Sequence, residues 1–287
     1  MQEINVKAIL TTRNTVDVYR GCTHGCIYCD GRADCFGMTY RFEDVEARVN
    51  APELLADALL KKRKPCMITV GATYDPYQPA KGELSLTRRV LEVIAERELG
   101  AVISTKSDLL LRDIDLFDEI NRKAKCVVNM GFTTASDALA AMLEPSAPSP
   151  SRRIAAMRTL ADRGIPTVMS LGPILPFITD TEENLRALLS VAFDLGVVGI
   201  LAPQMGVTLR SGSRENYYDG LDAAFPGLSE QYILTYGNAG SCESPDSPSL
   251  THLFRSECRA HGVMHDPDKI AAYLSDLPEK YEQISLF

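Results

Sequence analysis

The feature that most constrains the fold is an alternation of short apolar segments with amphipathic segments between about residues 15 and 205. The apolar segments are rich in β-branched residues. They lie at residues 66–71 (CMITVG), 101–106 (AVISTK), 126–132 (CVVNMGF), 166–171 (PTVMSL) and 197–202 (VVGILA). Continuous apolar runs of this kind are typical of parallel strands that are covered on both faces of a sheet.

The segments between these strands have helical periodicity. In LTRRVLEVIAERELG the apolar side chains recur on one helical face, and Gly100 is the expected C-cap. The segment DTEENLRALLSVAFDLG begins with a capping-box pattern, Asp180 followed by Glu183, and ends at Gly196. We therefore predict a helix after each of these strands.

Strands and helices that alternate in this way form right-handed βαβ units and a parallel sheet. With a first strand at about residues 15–19, the chain contains six units, fewer than the eight of a closed barrel. The sequence therefore predicts an α/β fold, a partial (β/α)6 barrel of the TIM type, with a doubly wound sheet as the alternative. We assign residues 1–206 to the barrel, residues 207–275 to a helical C-terminal extension and residues 276–287 to a flexible tail.

Composition and charge narrow the class of protein. The chain of 287 residues has a net charge of −8, which does not favour nucleic acid as a default partner. No apolar run approaches the roughly 20 residues that span a bilayer, and the first residues, MQEINVKAIL, lack the pattern of a signal peptide. We therefore expect a cytoplasmic protein with no membrane partner, in which clustered cysteines stay reduced and bind metal or act in catalysis.

Half of the eight cysteines lie in one stretch, YRGCTHGCIYCDGRADCFG. Cys22, Cys26 and Cys29 have the spacing CxxxCxxC and follow the first predicted strand, at the edge where parallel α/β folds build active sites. Three thiolates can hold a metal centre and leave a coordination position open, which is typical of a reactive site. The alternative is a structural zinc site with His24 or Cys35 as the fourth ligand, although such sites usually pair CxxC with a distant second pair.

The stretch CTHGCIYC, with an aromatic residue before the third cysteine, resembles the signature of the radical S-adenosylmethionine (SAM) superfamily. The resemblance implies a [4Fe-4S] cluster on Cys22, Cys26 and Cys29, with an open iron that binds SAM. In that family an electron from the reduced cluster cleaves SAM to methionine and a 5′-deoxyadenosyl radical, which abstracts hydrogen from a substrate. The fold of the family is also a partial barrel.

Further stretches resemble the proteins related to spore photoproduct lyase, the DNA-repair branch of the superfamily. They are YRGCTHGCIYCD, GATYDPYQPAKGELSLTRR, STKSDLLLRDIDLF and LEPSAPSPSRRIAA, and the resemblance covers about residues 15–205. It implies a radical SAM enzyme of the lyase or oxidoreductase type that takes its electron from a donor partner.

The resemblance also implies a set of residues that bind SAM. These are Tyr28, Gly71, Ala72, Thr73, Lys106, Ser107 and Asn129. The backbone around the tyrosine would lie against the adenine, and the three residues that end the second strand would bind the amino group. Lys106 and Ser107 would face the carboxylate or the ribose, since a cation there neutralises a carboxylate. Asn129 would hydrogen-bond the ribose.

Two departures separate this chain from spore photoproduct lyase itself. The lyase carries a cysteine hydrogen donor near the end of the second strand, where this chain has Ala72. The lyase also has a tyrosine on each side of its third cluster cysteine, whereas here Tyr28 precedes that cysteine and Asp30 follows it. The relay from thiol to tyrosine is therefore broken, and we expect an enzyme other than a standard spore photoproduct lyase.

Substitutes for that relay are the candidate catalytic residues. Tyr74 and Tyr77 follow the second strand, and Cys242 lies in the segment YGNAGSCESP, a predicted loop that would close over the barrel mouth. Loop packing after a turn is the alternative for the two tyrosines, and inert packing is the alternative for the cysteine.

These residues predict a radical SAM enzyme that acts on a nucleic acid base or a DNA lesion. Two alternatives stay open at this point. One is a radical SAM enzyme that acts on a peptide or a small molecule, and the other is a non-catalytic metal-binding adaptor.

The last residues of the chain, Gln283, Ile284, Ser285, Leu286 and Phe287, resemble the short peptide by which bacterial replication and repair proteins bind the DNA sliding clamp. A glutamine amide would hydrogen-bond the rim of the pocket on the clamp, and the leucine and phenylalanine would fill its apolar floor. The alternative is an apolar tail that folds back on the domain. A clamp-binding tail would bring an acidic enzyme to DNA.

Deletion of residues 283–287 tests this hypothesis. Because the leucine and phenylalanine would each bury an apolar side chain, we expect the deletion to weaken binding to an immobilised bacterial sliding clamp by about a hundredfold or more. Surface plasmon resonance of the full and shortened chains measures the difference. Equal binding of the two chains, or no binding by either, would contradict the hypothesis.

Overall fold

In a computed structural model of the protein, which describes residues 1–62, 64–79 and 85–278, strands and helices alternate along most of the chain. The strands are β1 (Gln2–Ile4), β2 (Thr15–Val16), β3 (Tyr19–Arg20), β4 (Glu46–Arg48), β5 (Met67–Val70), β6 (Gly100–Thr105), β7 (Cys126–Phe132), β8 (Thr167–Leu171), β9 (Gly199–Leu201), β10 (Gly206–Thr208) and β11 (Ser241–Glu243). The α-helices are α1 (Ala51–Leu60), α2 (Leu86–Glu96), α3 (Ile114–Lys123), α4 (Asp137–Leu143), α5 (Pro150–Asp162), α6 (Glu182–Asp194), α7 (Ser213–Ala224), α8 (Leu228–Tyr236), α9 (Ser247–Ala260) and α10 (Pro267–Ser275). Short 3-10 helices lie at Asp30–Arg32, Asp34–Phe36 and Asp108–Asp113.

A parallel sheet of six strands, in the order β2-β5-β6-β7-β8-β9, forms the centre of the described structure. The spatial order of these strands is their order along the chain. A doubly wound sheet would reverse its order at a switch point, whereas a barrel wall continues in one direction. The predicted partial (β/α)6 barrel is therefore confirmed.

The outward face of each strand packs against the surrounding helices. In β7 this face carries Cys126, Val128, Met130 and Phe132, all of which belong to the main apolar core. The helices contribute their apolar stripes to the same core, as the periodicity of α2 and α6 predicts. Cys126 is thus a core residue rather than a metal ligand.

The inward face of the strands changes from apolar to polar along the barrel. Near the amino ends, this face and α10 form an apolar plug of Met67, Val102, Val127, Val168 and Ile270. Towards the carboxyl ends, the same faces carry Gly71, Ser104, Lys106, Asn129, Gly131, Ser170 and Gly172, which line a cavity. Side chains alternate between the two faces of a strand. The segment CVVNMGF therefore contributes residues to the main core on one face, and to the apolar plug and the cavity lining on the other.

Some of the predicted boundaries are wrong in detail. The helix α2 ends at Glu96, and Gly100 begins β6 instead of capping the helix. A Cβ atom on Gly100 would lie 2.1 Å from Sδ of Met67 on the neighbouring strand, which explains the glycine. The helix α6 begins one residue later than the capping-box pattern indicates, with the Thr181 hydroxyl accepting a hydrogen bond from Asn184 N.

The structure also contains strands that the sequence pattern did not predict. A small sheet in the order β1-β4-β3 lies in the amino-terminal region. Strands also occur in the extension that the sequence predicts to be helical, since β10 and β11 form an antiparallel pair there. The segment YGNAGSCESP therefore contains a strand, and it is not a simple loop.

The helices of the C-terminal extension follow the barrel as predicted. Helix α9 packs against α6, and its Leu250, Phe254 and Cys258 belong to the main core. Met264 then pairs in parallel with Gly199 of β9, which extends the sheet edge before α10 begins. The division at residue 206 stays a prediction. Residues 283–287, the predicted clamp-binding motif, lie outside the described residues.

No helix within the described ranges combines the length and the apolar character that crossing a membrane requires.

Gly71, at the end of β5, has φ of +82°, and a Cβ atom there would lie 2.4 Å from Cδ of Pro76 and 2.6 Å from the carbonyl oxygen of Ser104. We expect Gly71→Ala to lower the free energy of unfolding by about 3 kcal/mol, because left-handed backbone strain and steric overlap act together. Gly164→Ala is the matched control, since Gly164 has φ of +68° but no atom within 4 Å of its added Cβ. The control should cost about 1 kcal/mol. Urea unfolding of the metal-free protein measures both, and equal losses would contradict the predicted overlap.

Candidate active site

A cavity of about 240 Å³ opens at the carboxyl ends of the parallel strands, the edge at which the sequence predicts the active site. Cys22, Cys26 and Cys29 all line it, together with residues that end β5, β6, β7 and β8. The loop that carries the cysteines follows β3 and precedes the first 3-10 helix. The structure therefore brings the three predicted metal ligands to one place.

The three thiols are desolvated. Burial raises the pKa of all three, and the nearby Asp75 carboxylate adds to the effect at Cys22, whose pKa rises to about 12. Protein groups alone therefore keep these cysteines as neutral thiols, whereas a bound metal centre deprotonates its thiol ligands. A set of thiolate ligands suits iron–sulfur clusters, which cysteines hold in proteins. The residues present thus fit a [4Fe-4S] cluster.

The two candidate fourth ligands of the zinc alternative differ in position, since His24 lines the cavity with the three cysteines and Cys35 does not. Cys35 is exposed and its Sγ lies 3.8 Å from Nη1 of Arg210, outside the cavity lining. Across the described ranges, no three His, Cys, Asp or Glu side chains are grouped around a position for a single metal ion. A four-iron cluster does not need such a grouping, because each cysteine binds a different iron.

Residues 143–146, which follow α4, support the cysteine loop from one side. Ile27 N donates a hydrogen bond to the carbonyl oxygen of Leu143 at 3.0 Å, and Ser146 N donates to the carbonyl oxygen of His24, also at 3.0 Å. A Cβ atom on Gly25 would lie 3.2 Å from Cγ of Pro145. The loop therefore lies directly against this segment.

A buried ion pair lies beneath the same loop. The Tyr28 hydroxyl donates a hydrogen bond to Oε1 of Glu144, and Arg153 Nη2 donates to Oε2. Arg153 also donates to the carbonyl oxygens of Gly131 at 3.0 Å and Pro148 at 2.8 Å, which connects the pair to the end of β7. Both charged side chains are almost fully buried, with 1% and 2% exposed.

The charge on Glu144 is stabilised by its neighbours. Burial alone would raise the pKa of this carboxyl group, but Lys106 and Arg153 outweigh burial and lower the pKa below its usual range. The carboxylate is therefore ionised, and its two oxygens accept from Tyr28 and Arg153. Sequence analysis did not identify these two charged residues, although the stretch LEPSAPSPSRRIAA contains both.

Residues after β5 support the cysteine loop from the other side. Gln78 Oε1 accepts a hydrogen bond from Thr23 N at 2.9 Å, and Gln78 Nε2 donates to the carbonyl oxygen of Gly21 at 3.0 Å. Asp75 accepts from the Thr105 hydroxyl at 2.7 Å and, by its other oxygen, from Lys106 N at 2.7 Å. The Asp75 and Gln78 side chains thus join the cysteine loop to the end of β6.

His24 lies between the cysteines and points into the cavity. Its Nδ1 is 3.5 Å from Oδ2 of Asp75, and its buried Nε2 has no hydrogen-bond partner among the described residues. Burial lowers the pKa of His24, although Asp75 acts in the opposite direction, so the imidazole is neutral. With Nδ1–H directed to Asp75, Nε2 is left as a hydrogen-bond acceptor for a molecule in the cavity.

The predicted SAM-binding residues do not all line the cavity. Gly71, Thr73, Lys106 and Asn129 do. The Lys106 ammonium lies 5.7 Å from the centre of the Tyr28 ring and has no hydrogen bond or ion pair among the residues that the structure describes. Asn129 Oδ1 accepts from the Ser170 hydroxyl at 2.7 Å.

Three other residues of that predicted set lie elsewhere. Ala72 is exposed and outside the lining. Ser107 is buried, and its hydroxyl accepts a hydrogen bond from Leu109 N as the N-cap of a 3-10 helix. Tyr28 lies beneath the cavity, with its hydroxyl bonded to Glu144. Their predicted roles remain predictions.

Of the three candidate catalytic residues, only Tyr74 lines the cavity. Tyr77 is fully buried, and its hydroxyl donates to Oδ2 of Asp113 at 3.0 Å, because the turn after Asp75 directs it into the core. Cys242 lies outside the cavity lining, in an apolar cluster that also contains Cys26, Tyr28 and Tyr217, and β11 pairs it with β10. A direct reaction of Tyr77 or Cys242 in this cavity therefore has no support in this geometry.

Removal of the Glu144 carboxylate tests the support beneath the loop. Glu144→Ala leaves the Arg153 guanidinium buried without its partner, so we expect the free energy of unfolding to fall by about 3–5 kcal/mol. We also expect less iron to bind per chain after reconstitution. The matched control is Glu182→Ala, which removes an exposed partner of Arg186 and should cost below about 1 kcal/mol. Urea unfolding and iron analysis measure the two effects, and equal losses in both variants would contradict the prediction.

This chain is similar to known proteins in sequence and in fold. An uncharacterised protein of Mycobacterium bovis is 28% identical over 243 residues, which are 80% of this chain and 68% of that protein. An uncharacterised protein of Methanocaldococcus jannaschii is 31% identical over 179 residues, which are 62% of this chain and 67% of that protein.

Among solved structures, spore photoproduct lyase has the same fold. A mutant with bound SAM and dinucleoside spore photoproduct matches with a TM-score of 0.62 at 16% identity, over 87% of this chain and 74% of the lyase chain. Another mutant matches with a TM-score of 0.64 at 15% identity, over 91% and 79%. The predicted likeness to the lyase is thus confirmed for the fold. The model of the radical SAM superfamily matches residues 16–189, more than half of the chain, and the chain belongs to the radical SAM superfamily.

Proposed function

We propose that this protein is an enzyme that holds a [4Fe-4S] cluster on Cys22, Cys26 and Cys29, cleaves SAM reductively, and acts on a nucleic acid base or a DNA lesion. Membership of the superfamily supports an enzyme, a cluster and SAM. The observation that carries the proposal is that the three thiols line one cavity with Lys106 and Asn129. When bound, the cluster and SAM supply a 5′-deoxyadenosyl radical that abstracts hydrogen from a substrate.

The groups at the strand ends suit the parts of SAM. Lys106 offers an ammonium group that makes no hydrogen bond or ion pair among the described residues, and a carboxylate is the group that such a cation binds. Asn129 Oδ1 already accepts from Ser170, so its amide N–H groups remain for a ribose hydroxyl. His24 Nε2 can accept a hydrogen bond from an N–H or O–H group in the cavity. These side chains would bind and orient the cofactor.

Aromatic rings cover the cavity beside Cys22. Phe42 and Tyr74 lie with ring centres 6.0 Å apart and pack with Cys22 in one apolar cluster. The Arg32 guanidinium lies 4.5 Å from the centre of the Phe42 ring, which holds that ring in place. These rings would exclude water from the cluster and from a radical formed beside it.

The reaction would differ from that of a standard spore photoproduct lyase. Among the described residues that line the cavity, Cys22, Cys26 and Cys29 are the only cysteines. All three would be cluster ligands, so none would remain to donate hydrogen to a product radical. Ala72, which stands at the position of the lyase donor, has no side-chain group that could do so.

A nucleic acid substrate is supported by the fold of spore photoproduct lyase and by the sequence stretches shared with its branch. The predicted clamp-binding tail is consistent with it. Two alternatives would replace this proposal. One is a radical SAM enzyme that acts on a peptide or a small molecule, and the other is a non-catalytic metal-binding adaptor.

Formation of 5′-deoxyadenosine tests the function. The protein would be reconstituted without oxygen, reduced with dithionite and supplied with SAM, and the product measured by mass spectrometry. We expect product from the parent protein and none from Cys29→Ala. Cys66→Ala is the matched control and should retain activity, because Cys66 precedes β5 at the opposite end of the barrel.

Added substrates distinguish the alternatives. Ultraviolet-irradiated DNA should raise the rate of product formation, whereas a peptide mixture should not. A rise with peptides alone would contradict the substrate class. No product from protein with a full complement of iron, with or without DNA, would contradict radical chemistry, and zinc in place of iron would favour the adaptor.

A further inference from the structure

A second cavity, of about 510 Å³, lies beside the last strand of the barrel. It is bordered by residues 202–205, which follow β9, by Glu243 of β11, by α9 and by the start of α10. An adjoining cavity of about 360 Å³ shares Thr251, Arg255 and Arg259 with it. The two cavities therefore form one groove, and these three residues of α9 line both parts.

The groove begins at the carboxyl edge of the sheet, where the cavity lined by Cys22, Cys26 and Cys29 (the cluster cavity) opens, and follows α9 towards the amino edge. Ser170 and Gly172, at the end of β8, line the cluster cavity, and β9 is the next strand. Met264 pairs in parallel with Gly199, so the residues after it run beside β9 towards its carboxyl end. A polymer that reaches the cluster cavity can therefore continue across β9 into the groove.

The groove contains two guanidinium groups available for an anion. Arg255 and Arg259 are exposed, lie one helical turn apart, and have no hydrogen bond or ion pair among the described residues. On another face of α9, by contrast, Glu257 forms an ion pair with Arg186, with Nη1 2.7 Å from Oε1. Hydroxyl groups of Thr251 and Ser256 lie beside the two free arginines.

The two acidic side chains of the groove accept hydrogen bonds from groups other than the two arginines. Glu243 Oε1 accepts from the Ser247 hydroxyl at 2.6 Å. Asp266 Oδ1 accepts from the backbone amides of Asp268 and Lys269, as the N-cap of α10. The smaller part of the groove has no carboxylate in its described lining. The two carboxylates keep their charge, so an anion would meet the arginines with least repulsion in the smaller part of the groove.

We propose that Arg255 and Arg259 bind phosphate groups of the nucleic acid strand whose base enters the cluster cavity. This inference rests on the proposed function and specifies where the strand lies. Guanidinium groups match phosphate oxygens in pairs, and such contacts set the position of a strand without reading its sequence. Side chains four residues apart on a helix start about 5–6 Å from each other, so the two can reach neighbouring phosphates of one strand. Local cations of this kind let an acidic protein bind a polyanion.

Fluorescence anisotropy with a labelled single-stranded oligonucleotide tests the groove, using the full chain with its cluster reconstituted. We expect Arg255→Ala with Arg259→Ala to weaken binding by about tenfold or more. The dependence of log affinity on log salt concentration should become shallower. The magnitude of its slope should decrease by about 1.4, which is about 0.7 for each lost phosphate contact. Arg255→Lys with Arg259→Lys should keep most of the slope, since the charges remain.

The control pair is Arg97→Ala with Arg158→Ala, which changes the net charge equally at α2 and α5, away from α9, and should leave binding unchanged. Circular dichroism checks that each variant is folded. If the parent protein binds the oligonucleotide and the Arg255/Arg259 alanine variant binds it with equal affinity and slope, the groove inference is overturned while the proposed function stands. If the parent protein binds no oligonucleotide, both fail. Equal binding of poly-glutamate would overturn the assignment to phosphate.

Discussion

The loop that carries Cys22, Cys26 and Cys29 has no helix or strand of its own between β3 and Asp30, so its shape depends on hydrogen bonds from other elements. Gln78 binds it at Gly21 and Thr23, and residues 143–146 bind it from the opposite side. Such a loop can hold three thiolates at fixed positions only if both supports are rigid, because a metal centre tolerates little error in ligand geometry. The barrel provides that rigidity, since Gln78 follows β5 and Arg153 connects Glu144 to the carbonyl oxygen of Gly131 in β7.

Each of the two supports also brings a carboxylate close to the cysteines. Asp75, on one side, is held by amide and hydroxyl donors, and Glu144, on the other, is held by Arg153. Burial raises the pKa of Cys22 and Cys26, and Asp75 and Glu144 each add to the effect at the nearer cysteine. With neutral thiols, Lys106 and Arg153 balance the two carboxylates, so three thiolates would leave excess negative charge that a cationic metal centre balances.

The sequence alone was sufficient for the fold and for the place of the site, for a physical reason. Parallel strands that are covered on both faces are nearly continuous apolar runs, which the sequence displays directly. Where an inward-facing position is polar instead of apolar, as at Asn129, the strand has reached the cavity. The cysteine spacing predicts a metal centre there, and the structure brings the three thiols to one cavity. The direction of side chains in irregular segments was beyond sequence reasoning. Tyr74 and Tyr77 are three residues apart in one turn, yet one lines the cavity and the other is buried against Asp113.

The sequence alone also does not show which arginine forms the buried ion pair with Glu144. Nothing in LEPSAPSPSRR distinguishes Arg153, which is buried, from Arg152, which bridges to Asp108 at the surface. The distinction arises from the helical turn of α5, which directs one arginine inward towards Gly131 and the other outward. Only the packing of α5 against the barrel decides which charge is paired beneath the cysteine loop.

The size of the cluster cavity bears on how a large substrate would be held. About 240 Å³ is below the roughly 300–1,000 Å³ of pockets that enclose a drug-sized ligand. In the proposed function, SAM and the cluster would take most of this space, so the cavity would enclose little more than the reacting part of a substrate. Most of the binding energy for a polymer would then come from surfaces outside the cavity. In a chain of net charge −8, that energy has to come from local groups such as Arg255 and Arg259, because the overall field repels a polyanion.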